Sequence, residues 1–372
     1  MTNPFKYGCV VDGEYYCARA GLARQLRSFV ESGQNVVIQG ERRMGKTSLV
    51  RETVGRMRGW KLLYVDLLYV RTVSDLCRRI AQAVSEMDSD RGFLEKTARF
   101  ISRLRPTLSF DGQTGGPILS VDAASCREPD SVEVLLNMIA EHARARKVCV
   151  VFDEFQDILD LEEGNQVLAL MRSRIQLDPR TPYVFLGSVR NRMTDIFWHP
   201  DSPFYHSAAA LPVGRIDDVE FKSFVAGRFA TGKRRMPDGL WEGISSAADG
   251  IPGYVQELCE ALWSVSDPSA TLGEEDLSAA LKLIFSREGD HFGMFVRDLT
   301  TLQLKVLGGL AKKGGKGVFA GEFLSETGVL NAASVRRALT RLEKSGLIYY
   351  FEGEYRFVNP FFRKWCVSQI GR

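Results

Sequence analysis

The 372-residue sequence predicts an α/β fold: a core built on a five-stranded parallel sheet, then a small helical domain, then a winged helix-turn-helix. Three observations predict it. Short apolar, β-branched runs alternate with helical patterns as far as Gly214, as parallel βαβ units require. Strand signals then stop while helical periodicity continues. From residue 299 onward, three helical patterns precede two short strands around Glu352-Gly353, the order of a winged helix. The expected domains are therefore 1–214, 215–298 and 299–372.

Each element rests on its own pattern. Residues 35–39 (NVVIQ) and 61–68 (KLLYVDLL) read as buried strands, with helices over 47–57 and 74–86. Residues 106–124 differ: two alternating runs flank Asp-Gly and Gly-Gly signals, which predicts a surface hairpin inserted in the core. A helix over 133–146 leads into a third strand, 147–152 (KVCVVF), which ends in Asp153-Glu154. A helix over 166–176 leads into a fourth strand, 183–186, followed by Gly187-Ser188, and residues 208–213 supply a fifth. Helices are then expected over 217–230, 239–248, 254–264 and 274–285. Those of the winged helix fall over 302–311, 321–326 and 334–344, with strands over 347–351 and 355–358.

Composition excludes several classes. No run of about 18 apolar residues is present, so no membrane-spanning helix is expected. Seven scattered cysteines without a CxxC pair, and four isolated histidines, argue against a disulfide framework and a zinc site. With no basic start followed by an apolar run, the expected compartment is the cytoplasm. The net charge is +3, but residues 300–372 hold twelve Lys/Arg against five Asp/Glu, so the basic surplus lies at the C-terminal end.

Gly40-Glu41-Arg42-Arg43-Met44-Gly45-Lys46-Thr47 matches the pattern G-x-x-x-x-G-K-[ST] in full, between a strand and a helix that continues with Ser48. The glycines let the backbone approach a phosphate closely. The N–H groups at the helix start then converge on it, where the helix dipole favours anions. Lys46 is expected to reach the terminal phosphates and Thr47 to ligate Mg²⁺. Asp153 is expected in the Mg²⁺ shell and Glu154 as the base that activates water. Ser188, at the tip of the fourth strand, reads equally as a polar sensor beside the γ-phosphate and as a loop serine capping the next segment. Arg43, with Arg42, stands either against nucleotide or a neighbouring domain, or in solvent. Arg190 and Arg192 fit solvated loop positions better than a catalytic one. No guanine-reading N/T-K-x-D element is present, so ATP is expected.

Five segments together, GERRMGKTSL, FDEFQ, FLGS, SPFY and GIPGYVQEL, resemble the prokaryotic AAA+/STAND-type P-loop ATPases of the archaeal-ATPase-like branch. The resemblance runs from Tyr7 to Trp365. It implies a five-stranded nucleotide-binding domain, a helical lid and a winged helix. It also implies that Arg19 packs near the adenine and that Pro252 touches the base. Read from the residues alone, Pro252 is a proline in a helix first turn. The family's acidic residues after the first of these positions are replaced here by Ala20-Gly21, and no arginine lies between Thr194 and Ala210, where ring-forming relatives place a finger. That favours slow turnover of ATP and water to ADP and phosphate, with oligomerisation on ATP binding an open expectation.

The recognition helix, 334–344, places Val335, Ala338, Leu339 and Leu342 on one face and Arg336, Arg337, Thr340, Arg341 and Lys344 largely on the other. Arg336, Arg337, Arg341 and Lys344 are candidate DNA contacts. Winged helices also bind proteins. Two readings therefore stand: a nucleotide-dependent switch acting on a protein or DNA partner, and an ATP-regulated DNA-binding protein of origin-recognition type.

Overall fold

The structure, a computed structural model, describes residues 2–87, 106–110, 117–121, 129–187, 192–329 and 331–369. It divides into two compact units: Val10–Gly214, and Met1–Cys9 together with Arg215–Arg372.

The first unit holds strands β1 (Val36–Gln39), β2 (Trp60–Asp66), β3 (Pro106–Phe110), β4 (Pro117–Val121), β5 (Lys147–Asp153), β6 (Tyr183–Gly187) and β7 (Ala209–Pro212). Its helices are α1 (Ala20–Glu31), α2 (Lys46–Val54), α3 (Val73–Met87), α4 (Asp130–Ala143), α5 (Gly164–Leu177) and α6 (Arg192–Phe197). Five strands form one parallel sheet in the order β2-β5-β6-β1-β7. Every residue of β6, and every residue of β5 after Lys147, is buried. Burial on both faces explains why these strands read as unbroken apolar runs rather than alternating ones. Phe152, Phe155, Tyr183, Phe185, Phe197 and Phe204 make the aromatic centre of the core, with Phe155 and Phe185 4.6 Å apart between ring centroids. That centre anchors the chain directly beside the end of β5.

β3 and β4 pair antiparallel in a separate two-stranded sheet, Pro106 opposite Val121 and Phe110 opposite Pro117. The segments 111–116 and 122–124 of the expected hairpin lie outside the described residues.

The second unit holds α7 (Asp218–Ala230), α8 (Asp238–Ala247), α9 (Pro252–Val265), α10 (Glu274–Arg297), α11 (Thr301–Lys313), α12 (Gly321–Thr327), α13 (Ala332–Lys344), β8 (Ile348–Phe351), β9 (Glu354–Phe357) and α14 (Pro360–Gln369). β8 and β9 form the wing, Ile348 opposite Phe357. Its two-residue turn, Glu352-Gly353, has φ of 48° and 85°. Both angles are left-handed, as the turn that matches strand twist demands, and only the glycine adopts that region without strain.

Four α-helices exceed the sequence expectation. α1, α6 and α14 were not anticipated, and α10 runs to Arg297 instead of ending near residue 285. Phe292 explains the extension: its ring lies 5.3 Å from Phe362 and 5.8 Å from Trp365, so α10 continues in order to pack on α14. Of the aromatic residues toward the C-terminal end, Phe357, Phe361 and Phe362 are buried, whereas Tyr350 is exposed. Among the described residues, no helix is long and apolar enough to cross a membrane.

Candidate nucleotide site

β1 and β5 end on the same edge of the sheet, with β6 between them, and the candidate residues sit at those C-terminal ends. This is where open parallel sheets place their ligands. The β1 end passes into the loop 40–45. A Cβ on Gly40 would stand 2.3 Å from the carbonyl oxygen of Val213, so only glycine fits where the chain after β7 crosses. Arg43 (φ 63°) and Gly45 (φ 80°) turn the loop back on itself. α2 starts at Lys46 with Gly45 as its N-cap and no side chain capping it. Its first-turn N–H groups therefore remain directed at whatever the loop encloses.

Lys46 is only 7% exposed, and its Nζ donates to the carbonyls of Gly40 (2.8 Å) and Glu41 (3.0 Å). Burial lowers its pKa, and the Glu154 and Asp153 carboxylates oppose that shift. A buried ammonium is a strong attractor for anionic oxygens, because little water screens it, and the two carboxylates keep it protonated.

At the β5 end, Asp153 Oδ2 accepts from the Thr47 hydroxyl (2.6 Å) and the Tyr64 hydroxyl (2.6 Å). Asp153 Oδ1 accepts from the Glu154 N–H at 2.9 Å. The β2–β5 register sets Tyr64 opposite Val151, which brings its phenol to this carboxylate. The Arg51 guanidinium lies 4.5 Å over the Tyr64 ring. Burial, and then the Asp153 charge, push the Tyr64 phenol above its usual range, so it stays a donor. Glu154 takes a left-handed backbone (φ 49°) as β5 turns into a 3-10 helix, Phe155–Asp160. Its carboxylate accepts from the side-chain amide of Gln156.

Thr47, Lys46, Asp153 and Glu154 thus meet at one place. Met44 is buried, and its carbonyl accepts from Arg19 NH2 at 2.8 Å, while Arg19 NH1 reaches the Gly214 carbonyl at 2.5 Å. Arg19 therefore ties the loop to the segment that follows β7. The Ser48 hydroxyl accepts from the Val11 N–H (3.1 Å), which leaves its backbone N–H as the group facing the loop. Arg43 is exposed on the loop. Pro252 belongs to the other compact unit and is the first residue of α9. Ser188 and Arg190 lie outside the described residues. Arg192 is ion-paired with Asp160, which holds the Asp160 carboxyl below the usual range. Sequence reasoning missed Tyr64 and Gln156; the single phenol within the otherwise aliphatic part of KLLYVDLL was the one signal that could have pointed to Tyr64.

The residues present fit a nucleotide and a divalent cation. The helix start supplies N–H donors, and Thr47 and Asp153 offer the oxygen ligands that Mg²⁺ prefers.

Loop, carboxylate pair and parallel sheet define a P-loop nucleotide-binding core. Residues 30–188 match the family model of the AAA domain, and residues 290–368 match a model described as a probable winged helix domain. The chain thus combines an AAA domain with a C-terminal winged-helix domain, an architecture consistent with the AAA+ P-loop ATPases. Among solved structures, it is similar to a Walker-type ATPase of Pyrococcus abyssi, with 18% identity, a TM-score of 0.66, and coverage of 98% of this chain and 99% of that one. It is also similar to the ORC1 protein of Aeropyrum pernix, solved in complex with DNA, at 15% identity and a TM-score of 0.53 over 96% of this chain and 94% of that one. The ORC2 protein of the same organism, solved as ADPNP-ADP complexes, gives 14% identity and a TM-score of 0.52 over 95% and 93%. These likenesses are of fold. No curated protein matches the chain.

Proposed function

We propose that the protein binds and slowly hydrolyses ATP, and that its nucleotide state controls contact with a partner. The observation that carries this reading is the meeting of Lys46, Thr47, Asp153 and Glu154 around the loop 40–45. Lys46 and the N–H groups of Gly45 to Ser48 hold the phosphates, helped by the loop backbone from Gly40 through Arg43 and Met44. Thr47 and Asp153 hold Mg²⁺. The cation, when bound, neutralises charge on the phosphate oxygens during transfer. Glu154 takes the proton of the attacking water, and Ser188 is kept as the sensor at the end of β6. Arg19 shapes the adenine side, and Pro252 is assigned a contact with the base. The chain is read as an ATPase domain (1–214), a helical lid (215–298) and a winged-helix domain (299–372), acting in the cytoplasm.

The test is nucleotide binding by Lys46→Ala, followed with a fluorescent ATP analogue. We expect at least about a hundredfold loss of affinity, since a charge-assisted contact to phosphate is removed from a buried site. Affinity within twofold of wild type would contradict the assignment.

A second reading has its own observation. Arg336, Arg337, Arg341 and Lys344 are all exposed on α13, opposite a buried face of Val335, Ala338, Leu339 and Leu342. The Aeropyrum ORC1 protein of similar fold was solved with DNA. The winged helix is therefore a candidate duplex-DNA contact, with ATP regulating it; a protein partner is the rival occupant.

A further inference from the structure

The Glu154 carboxylate makes one hydrogen bond among the described residues, and Gln156 supplies it. Gln156 is 6% exposed. Its Nε2 also reaches Asp157 Oδ1 at 3.3 Å, and Asp157 Oδ2 is fixed in turn by the Tyr69 N–H at 2.8 Å. Two carboxylates facing the same atom settle which way the amide points, because ionised carboxylates only accept. Gln156 Oε1 must then face the other way, and there it lies against the last residue of β6. A Cβ on Gly187 would stand 2.6 Å from it. This oxygen is buried and has no hydrogen-bond partner among the described residues.

A glutamine on a surface turn beside a carboxylate would be unremarkable. This one is sunk into the core, and a glycine makes room for it. Glu154 itself stands on a left-handed residue just past the strand, where the backbone alone leaves its side chain free to rotate. We propose that Gln156 is the positioning residue for Glu154: it holds the base carboxylate in one orientation and ties that orientation to the end of β6. The proposal rests on the reading of Glu154 as the base. Its direct consequence is a split between chemistry and binding. Gln156 lies on the carboxylate side of the site and donates to none of the loop groups that hold phosphate, so losing it slows the water attack without weakening the nucleotide.

The experiment uses Gln156→Met, which keeps length and volume but removes the donor, and Gln156→Glu, which sets a third carboxylate against Glu154 and Asp157. Phosphate release, ADP affinity and affinity for ADP with aluminium fluoride are measured in wild type, in each variant and in the Glu154→Ala background. We expect kcat to fall by about tenfold to a hundredfold, ADP affinity to stay within twofold, and aluminium-fluoride affinity to fall by about tenfold. In the Glu154→Ala background the further effect of Gln156→Met should vanish, because Gln156 acts through Glu154. Unchanged kcat, an ADP affinity that falls in step with kcat, or a full effect surviving without Glu154 would each overturn the proposal. If wild type releases no phosphate, the base assignment has failed separately, and the aluminium-fluoride cycle then decides this inference: coupling below twofold sinks it.

Discussion

Asp153 Oδ2 takes two hydroxyl donors at 2.6 Å, one from the first turn of α2 and one from β2. Thr47 was legible in the sequence because the phosphate-loop pattern fixes it by spacing alone. Tyr64 was not, because its role depends on strand register, which sets residue 64 opposite residue 151 across two segments almost ninety residues apart. Gln156 was hidden for a related reason: a left-handed Glu154 folds it back toward its neighbour, and no local pattern announces such a turn. At this scale the prediction concerns Tyr64→Phe. It removes a donor to a carboxylate that is itself only 6% exposed, so unfolding free energy should fall by about 1–3 kcal/mol, read from denaturant unfolding followed by circular dichroism. A change indistinguishable from zero would mean that Thr47 and Glu154 alone satisfy Asp153.

Elements with a strong period were readable, and those held by tertiary contacts were not. β1, β5 and β6 stood out as apolar runs because both faces of the sheet are covered. α13 stood out because four buried residues alternate with its cations at helical spacing. α1 begins with Ala20-Gly21 and has no side-chain cap, so nothing marked its start. α14 did carry a signal: Asn359 accepts from the N–H groups of Phe361 (2.8 Å) and Phe362 (3.2 Å), and Pro360 follows it at the first helical position. The second half of α10 holds two glycines, and it packs on α14 through Phe292 and Phe295. The wing is less basic than α13, since Glu352 and Glu354 pair with Arg356. If duplex DNA is the partner, α13 therefore carries the contact. Reversing Arg336, Arg337 and Arg341 to Glu should abolish binding in a gel-shift titration, and wild-type affinity should fall with salt by a logarithmic slope of about −0.9 per phosphate contacted. Binding that ignores both salt and charge reversal would leave the protein-partner reading in place.

Over the whole molecule, the candidate nucleotide residues apart from Pro252 lie in the Val10–Gly214 unit and the candidate partner surface in the other. A switch must couple the two, so partner and nucleotide must alter each other's binding by the same factor. ATP affinity measured with and without duplex DNA is expected to differ by at least about fivefold if DNA is the partner. Equal affinities would move the reading toward a protein. All of this stands on the claim that loop and carboxylate pair form a hydrolytic site. The most direct measurement compares wild type with Glu154→Gln for both ATP affinity and phosphate release. We predict that the variant binds ATP with affinity within about threefold of wild type while its release rate falls by about a hundredfold or more. Wild-type phosphate release from Glu154→Gln would contradict the account.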